Sequence, residues 1–104
     1  MNINQLARVD LNLLVALQVL LEERSVSRAA QRLNVTQPAM SKTLGRLRET
    51  FEDPLFARSK RGIQPTPRAE ALGAELQNIL NDIETLLDAG EFAPSLRRRL
   101  WIAR

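Results

Sequence analysis

The sequence has no cysteine and no histidine among its 104 residues. Their absence excludes disulfides, zinc sites built on either ligand, a His-based catalytic triad and a histidine pH switch. A cysteine-free chain also fits the cytosol. Aromatic residues are 4% of the total, three Phe and one Trp with no Tyr, too few for a single-strand-binding fold that stacks bases on several rings. No apolar run reaches the ~18–20 residues of a membrane span, so no membrane partner is expected. The apolar stretch near the start is broken by Asn12 and Gln18, follows Arg8 and Asp10, and lacks a small-residue cleavage site, so it does not read as a signal peptide.

What is present is a chain of one small domain, or one domain with an extension. Its 44% hydrophobic residues suffice for a core. The net charge of +3 hides a segregation. Residues 1–23 carry net −2, residues 24–68 net +7 with ten basic side chains, residues 69–92 net −6 with six acids and no base, and residues 93–104 net +4. A basic middle beside an acidic segment points to a surface that meets a polyanion, with the acidic segment turned elsewhere. Two unevenly charged solvated faces would give the same numbers.

Helical spacing first shows at Leu13, Leu14, Leu17, Leu20 and Leu21, behind an Asp10 suited to capping. Val15 and Val19 lie off that stripe, so this helix is buried on two sides or touches a second chain. It should end near Glu23. Ser27 then precedes a short helix whose Ala29, Ala30 and Leu33 suit close packing, with Ser27 as its cap. Asn34 tolerates a left-handed backbone and can end that helix; Val35 should plug the corner. Thr36 caps the next helix, with Pro38 in its first turn. Met40, Leu44, Leu47 and Phe51 form its buried stripe, and Gln37, Ser41, Lys42, Thr43 and Arg46 show on the other face. Pro54 and the acids before it stop the helix by about Phe51.

A helix, a short turn and a second helix with a polar, basic face make a helix-turn-helix. Leu55–Phe56 and Ile63 flank a basic, Gly-containing turn (Arg58, Ser59, Lys60, Arg61, Gly62), the pattern of a small hairpin or wing. An ordinary surface loop is the plain alternative. Thr66 and Pro67 open the last helix. Its Ala69, Leu72, Leu76, Ile79, Ile83 and Leu86, widened by Leu80 and Leu87, follow heptad spacing. At ~1.5 Å per residue this helix runs roughly 35 Å, too long for the small domain before it to cover. The seam therefore reads as a dimer contact, with packing inside one chain as the alternative. Gly90 is a candidate stop. Leu100 to Ala103 are apolar with no visible partner, as in a fragment of something longer, and the Arg97–Arg99 run reads as solvated.

The stretch SVSRAAQRLNVTQPAMSKTLGRLRETFEDPLFARSKRGIQPTPRAEAL resembles the amino-terminal DNA-binding domain of LysR-type transcriptional regulators, from about Asp10 to Leu87. Three motifs carry the likeness: S-x-A-A-x-x-L-x-V-[ST]-Q-x-A-[VM]-S, L-F-x-R, and P-T-P-R-A. The resemblance implies a mainly all-α fold: a winged helix-turn-helix with a two-stranded wing over residues 1–65, then a dimerising linker helix over 66–90. Residues 91–104 would be a hinge and the start of a truncated effector-binding domain, the part that would meet a small-molecule inducer. It also implies a bacterial, cytoplasmic, nucleoid-associated protein. Carried over by motif, the DNA-contacting positions are Gln37, Pro38, Ser41, Lys42 and Thr43, with Arg46 at the edge and Arg58 in the wing; Thr36 and Ser27 would donate to phosphates. Departures stand at Glu52, where Gly is common, at Arg48, which replaces a frequent Glu, and at Pro65 and Ala69, which replace Leu and Gly.

On these grounds the expected partners are double-stranded DNA and a second copy of the chain. Gln37 suits adenine, Lys42 or Arg46 guanine, and the Pro38 ring or Thr43 methyl a thymine methyl. Arg58, Lys60 and Arg61 would hold phosphates and the minor groove, and Ser27 and Arg28 the backbone near the first helix of the motif. Arg48 reads as an ion-pair partner rather than a base reader. Leu72, Leu76, Ile79, Leu80, Ile83, Leu86 and Leu87 form the expected dimer interface. No enzymatic activity, metal or cofactor is expected, because the pattern places no paired carboxylates in a pocket. The rival readings are a dimerising protein-interaction adaptor that uses the helix-turn-helix as scaffold, and a DNA binder indifferent to sequence.

Overall fold

Side-chain caps and apolar stripes divide the chain as the spacing predicts, in a computed structural model that describes residues 1–88. The elements are α1 (Ile3–Ala7), α2 (Leu11–Glu23), α3 (Val26–Arg32), α4 (Gln37–Phe51), β1 (Phe56–Ser59), β2 (Gly62–Pro65) and α5 (Pro67–Leu87). Gly90, the Arg97–Arg99 run and the expected hinge and effector-domain start at 91–104 lie outside the described residues. Among the described residues no helix is long and apolar enough to cross a membrane.

Helix α2 begins at Asp10, whose Oδ1 accepts from the Asn12 N–H at 2.9 Å. It buries Leu13, Ala16, Leu17, Val19 and Leu20 and packs against α3, α4 and α5 together. Burial on several sides within one chain therefore accounts for Val19, off the leucine stripe. Arg24 ends α2 in the left-handed region, at φ 53°. The cap of α3 is Ser25, not Ser27: the Ser25 Oγ accepts from the Arg28 N–H at 3.2 Å, and Ser27 sits one residue inside the helix with its hydroxyl 3.1 Å from that of Ser25. With two serines two residues apart, backbone direction decides, and only Ser25 is extended, at φ −154°. Asn34 takes φ 57°, the left-handed turn expected of it. Val35 does not plug the corner. It is exposed, and Leu33 packs against the core instead.

Thr36 caps α4 through its Oγ, which accepts from the Ala39 N–H at 3.2 Å. Met40, Leu44 and Leu47 are buried and Phe51 is half-buried. The helix ends on Glu52 at φ 50° and ψ 45°, a left-handed cap made without glycine. Two neighbours hold that turn. Arg48 donates from Nε to the Pro54 carbonyl at 2.8 Å and from Nη2 to the Phe56 carbonyl at 3.2 Å. The Asp53 carboxylate accepts from the Leu55 N–H at 2.8 Å and from the Thr66 hydroxyl at 2.9 Å. Leu55 is itself left-handed, at φ 64°, and fully buried. Such a conformation costs about 1–2 kcal/mol; burial of a leucine side chain contributes a similar amount or more.

Strands β1 and β2 pair antiparallel, with Phe56 opposite Pro65 and Arg58 opposite Ile63. The wing is tied to the α2–α3 corner, since the Ile63 N–H donates to the Arg24 carbonyl at 3.1 Å. Gly62 makes that approach possible: it has φ 131°, and a Cβ there would lie 2.3 Å from the Arg24 oxygen. Thr66 then caps α5, accepting from the Ala69 N–H at 3.1 Å while it donates to Asp53. Ala69 and Leu76 of α5 are buried, and Leu72 and Leu80 pack against the core. Leu76 is thus taken up by the chain's own core, which corrects its place in an intermolecular seam.

Candidate nucleic-acid interface

Three elements converge on one face. A cleft of about 320 Å³ is lined by Ser25, Val26 and Ser27 from α3 and its cap, Gln37 from the start of α4, and Arg58, Ser59, Gly62 and Ile63 from the wing. Ser27 and Gln37, from one motif, and Arg58, from another, therefore meet in one concavity. The Ile63–Arg24 bond holds the wing in that position. Polar and cationic walls aligned along a helix N-terminus are the arrangement that receives phosphate oxygens.

Beyond the cleft, α4 presents Pro38, Ser41 and Lys42 exposed. Ser41 is one turn from Gln37 and shares its side of the helix. Thr43 is half-buried. Six residues from Gln37, it lies roughly 120° away around the helix, on the opposite flank of the exposed face. Lys60 and Arg61 form the two-residue tip between β1 and β2 and are exposed. Lys42, Arg58, Lys60 and Arg61 make no ion pair among the described residues.

Other basic side chains are engaged. Arg28 donates from Nη2 to the Glu23 carbonyl at 2.8 Å, closing the end of α2, and its Nε is 3.6 Å from the Glu23 carboxylate. Arg46 stands 3.8 Å from Asp10. Arg32 pairs with Glu22 at 2.6 Å and Glu23 at 3.2 Å. A hydrogen bond from Gln18, then the Arg32 hydrogen bond and charge, lower the Glu22 pKa from its ordinary value; the Glu22 hydrogen bond and charge raise that of Arg32. Arg48 bonds backbone carbonyls and makes no ion pair among the described residues, so it is not the ion-pair partner expected. The carbonyls it serves belong to a turn several residues on, and no local pattern announces them. The sequence reading also gave no role to Arg24, whose carbonyl anchors the wing, and missed α1 altogether. Its one local signal is Asn2, whose side chain caps Gln5.

A two-helix motif with a protruding second helix and a hairpin beside it defines a winged helix-turn-helix. The chain belongs to the lysR family of bacterial regulatory helix-turn-helix proteins, whose family model matches residues 11–70. It is 45% identical over 101 residues to the HTH-type transcriptional regulator SyrM 2 of Sinorhizobium fredii (strain NBRC 101917 / NGR234), covering 97% of this chain and 30% of that protein. It is 48% identical over 93 residues to Nodulation protein D 2 of Bradyrhizobium elkanii, covering 86% and 28%. Among solved structures it is similar to a probable transcriptional regulator from Pseudomonas aeruginosa, with TM-score 0.75 and 40% identity over 81% of this chain and 28% of that one. It is also similar to the protein of a CbnR_DBD–DNA complex, with TM-score 0.72 and 26% identity over 83% and 99%. The chain thus spans under a third of the length of the curated relatives it matches.

Proposed function

We propose that this chain is the sequence-reading part of a bacterial transcriptional regulator, binding double-stranded DNA as a dimer on a roughly palindromic site. Residues 1–65 form the reading unit and 66–90 the linker and dimerisation helix. The observation that carries the reading is the cleft shared by Ser27, Gln37 and Arg58, with a cationic wing tip beside it and an exposed Lys42 farther along α4. Helix α4 enters the major groove from its N-terminal end. Gln37 reads a base edge there, Ser41 contacts bases or phosphates along the same side, and Lys42 does so from the middle of the exposed face. Thr36 and Ser27 lie at helix starts where phosphate oxygens are favoured. Arg58, Lys60 and Arg61 follow the sugar–phosphate backbone into the next minor groove. Arg46 and Arg28 contribute only by exchanging their present partners, Asp10 and Glu23, for phosphate. Thr43 contributes from the flank through its methyl.

Dimerisation falls to the distal part of α5. Ile79, Leu86 and Leu87 are 46%, 75% and 78% exposed, and Ile83 is half-buried. Leu72 and Leu80 support them from the core side. Two-fold pairing of such helices places two copies of α4 on successive turns of one duplex face. The test is selection of bound duplexes from a random pool. The expected result is one enriched sequence with two inverted half-sites; recovery of the pool's original base composition would overturn the proposal.

A further inference from the structure

Three glycines lie within residues 1–88, and the fold itself accounts for two of them. Gly62 has a positive φ and the Arg24 carbonyl against it; Gly73 lets α5 close on α2, since a Cβ there would stand 2.9 Å from the Leu21 Cδ1. Gly45 is different. It sits inside α4, its backbone is helical, and a Cβ built on it would meet no heavy atom within 4 Å. Glycine is the poorest helix former after proline, because it loses the most backbone freedom on folding. Alanine would therefore serve this fold better, and nothing within the chain forbids it.

What glycine offers at such a place is a lowered surface. Gly45 follows Ser41 by four residues and Lys42 by three, so it lies on their side of the helix, itself half-buried beneath them. From Gln37 to Arg46 this helix carries no acid, and the first, Glu49, comes one turn beyond Gly45. Gly45 thus marks the last turn on which a polyanion can lie close before a carboxylate repels it. We infer that Gly45 is a specificity-determining position at which the sugar–phosphate wall of the major groove touches the α4 backbone, so that its missing side chain sets how deeply the helix seats. The inference rests on the DNA-binding reading above and gives that reading a residue that charge and hydrogen bonding would never single out.

The test compares the 104-residue chain with its Gly45→Ala variant on the duplex enriched from a random pool and on random duplex, with thermal unfolding followed by circular dichroism. The variant should melt roughly 4–8 °C higher. It should also bind the enriched duplex on the order of tenfold more weakly, since a methyl group forced into a close contact holds the helix out of the groove. Random duplex, on which no register is seated, should lose less. Unchanged affinity for the enriched duplex would overturn the inference alone. A lower melting temperature would also overturn it, by showing that the fold requires this glycine. If the parent enriches no duplex, the DNA-binding reading fails and takes this inference with it.

Discussion

Helices α4 and α5 are built alike and end in different surroundings. Each begins on a threonine whose hydroxyl accepts from the amide three residues on, at 3.2 Å from Ala39 and 3.1 Å from Ala69, and each has a proline in its first turn. Each carries an apolar stripe at three- and four-residue spacing. The stripe of α4 closes within its own chain, where Met40, Leu44 and Leu47 are all buried. That of α5 does so only through Leu76 and Leu80, after which Leu86 and Leu87 stand in the open. The faces left over differ as well: α4 shows Lys42 and Arg46, α5 mostly acids. Periodicity thus tells that a helix has an apolar face, but not which body covers it. Burial divides the α5 stripe into an inner and an outer part, and the sign of the remaining charge says which helix a polyanion would accept.

The largest expected effect breaks that division of α5. Leu76→Asp places a carboxylate at a position 4% exposed. Losing the leucine and burying an unpartnered charge should together cost upwards of about 4 kcal/mol, a large fraction of a small domain's stability. Urea denaturation should show a chain unfolded or nearly so. The pair Leu86→Asp and Leu87→Asp, on the same stripe, should leave the helical spectrum intact and convert dimers to monomers in sedimentation. If both changes unfold the chain equally, or if neither alters sedimentation, the two halves of α5 are not distinct.

Next in size is the contrast between reading and holding on the DNA face. Gln37→Ala should cost roughly 1–3 kcal/mol on the preferred duplex and relax one base position, with little change on random duplex. Arg58→Ala, across the same cleft, should weaken binding to all sequences and reduce the slope of log affinity against log salt by about one unit. Equal losses of Gln37→Ala on both duplexes would remove it as a base reader. An unchanged slope for Arg58→Ala would remove that residue from the phosphate contacts.

Much of this arrangement was legible in the sequence because it is written locally. Asp10, Thr36 and Thr66 cap as hydroxyl or carboxylate side chains before apolar stripes do, Asn34 turns left-handed, and a glycine-containing basic turn made the wing. What escaped notice depends on residues distant in sequence or on choices between near-equals. Ser25 and Ser27 compete for one cap, and only the backbone settles it. Glu52 has no intrinsic reason to adopt a left-handed cap; Arg48 and Asp53, bonded to the turn that follows, provide the reason. Leu76 obeys the same heptad as Leu86 and Leu87, yet α2 reaches only the first of them. For the site, residue type located Gln37, Lys42 and Arg58 on exposed elements, but type alone does not tell an available cation from an engaged one. Arg46 and Lys42 look equivalent until Asp10 is found 3.8 Å from the former.

That last distinction yields the smallest predicted effect. Arg32 belongs to the basic segment, yet Glu22 and Glu23 hold it at 2.6 and 3.2 Å. Arg32→Ala should therefore leave the salt slope of DNA binding unchanged, unlike Arg58→Ala. Its contribution is to the α2–α3 corner, and the pH dependence has a definite sign. Hydrogen bonds from Gln18 and Arg32, with the Arg32 charge, lower the Glu22 pKa in the folded chain. The contribution of Glu22 is therefore complete above its unfolded value and fades as pH falls through the lowered folded value. Because the two side chains are 48% and 42% exposed, the contribution is that of a screened surface pair and should shrink further near ~1 M salt, where the Debye length is ~3 Å. Urea titrations of the parent and Glu22→Gln across the acid range should show a small stability gap at neutral pH that closes toward low pH. A gap that widens on acidification would mean that the carboxyl is favoured in its protonated form, and that the corner is held by something other than this ion pair.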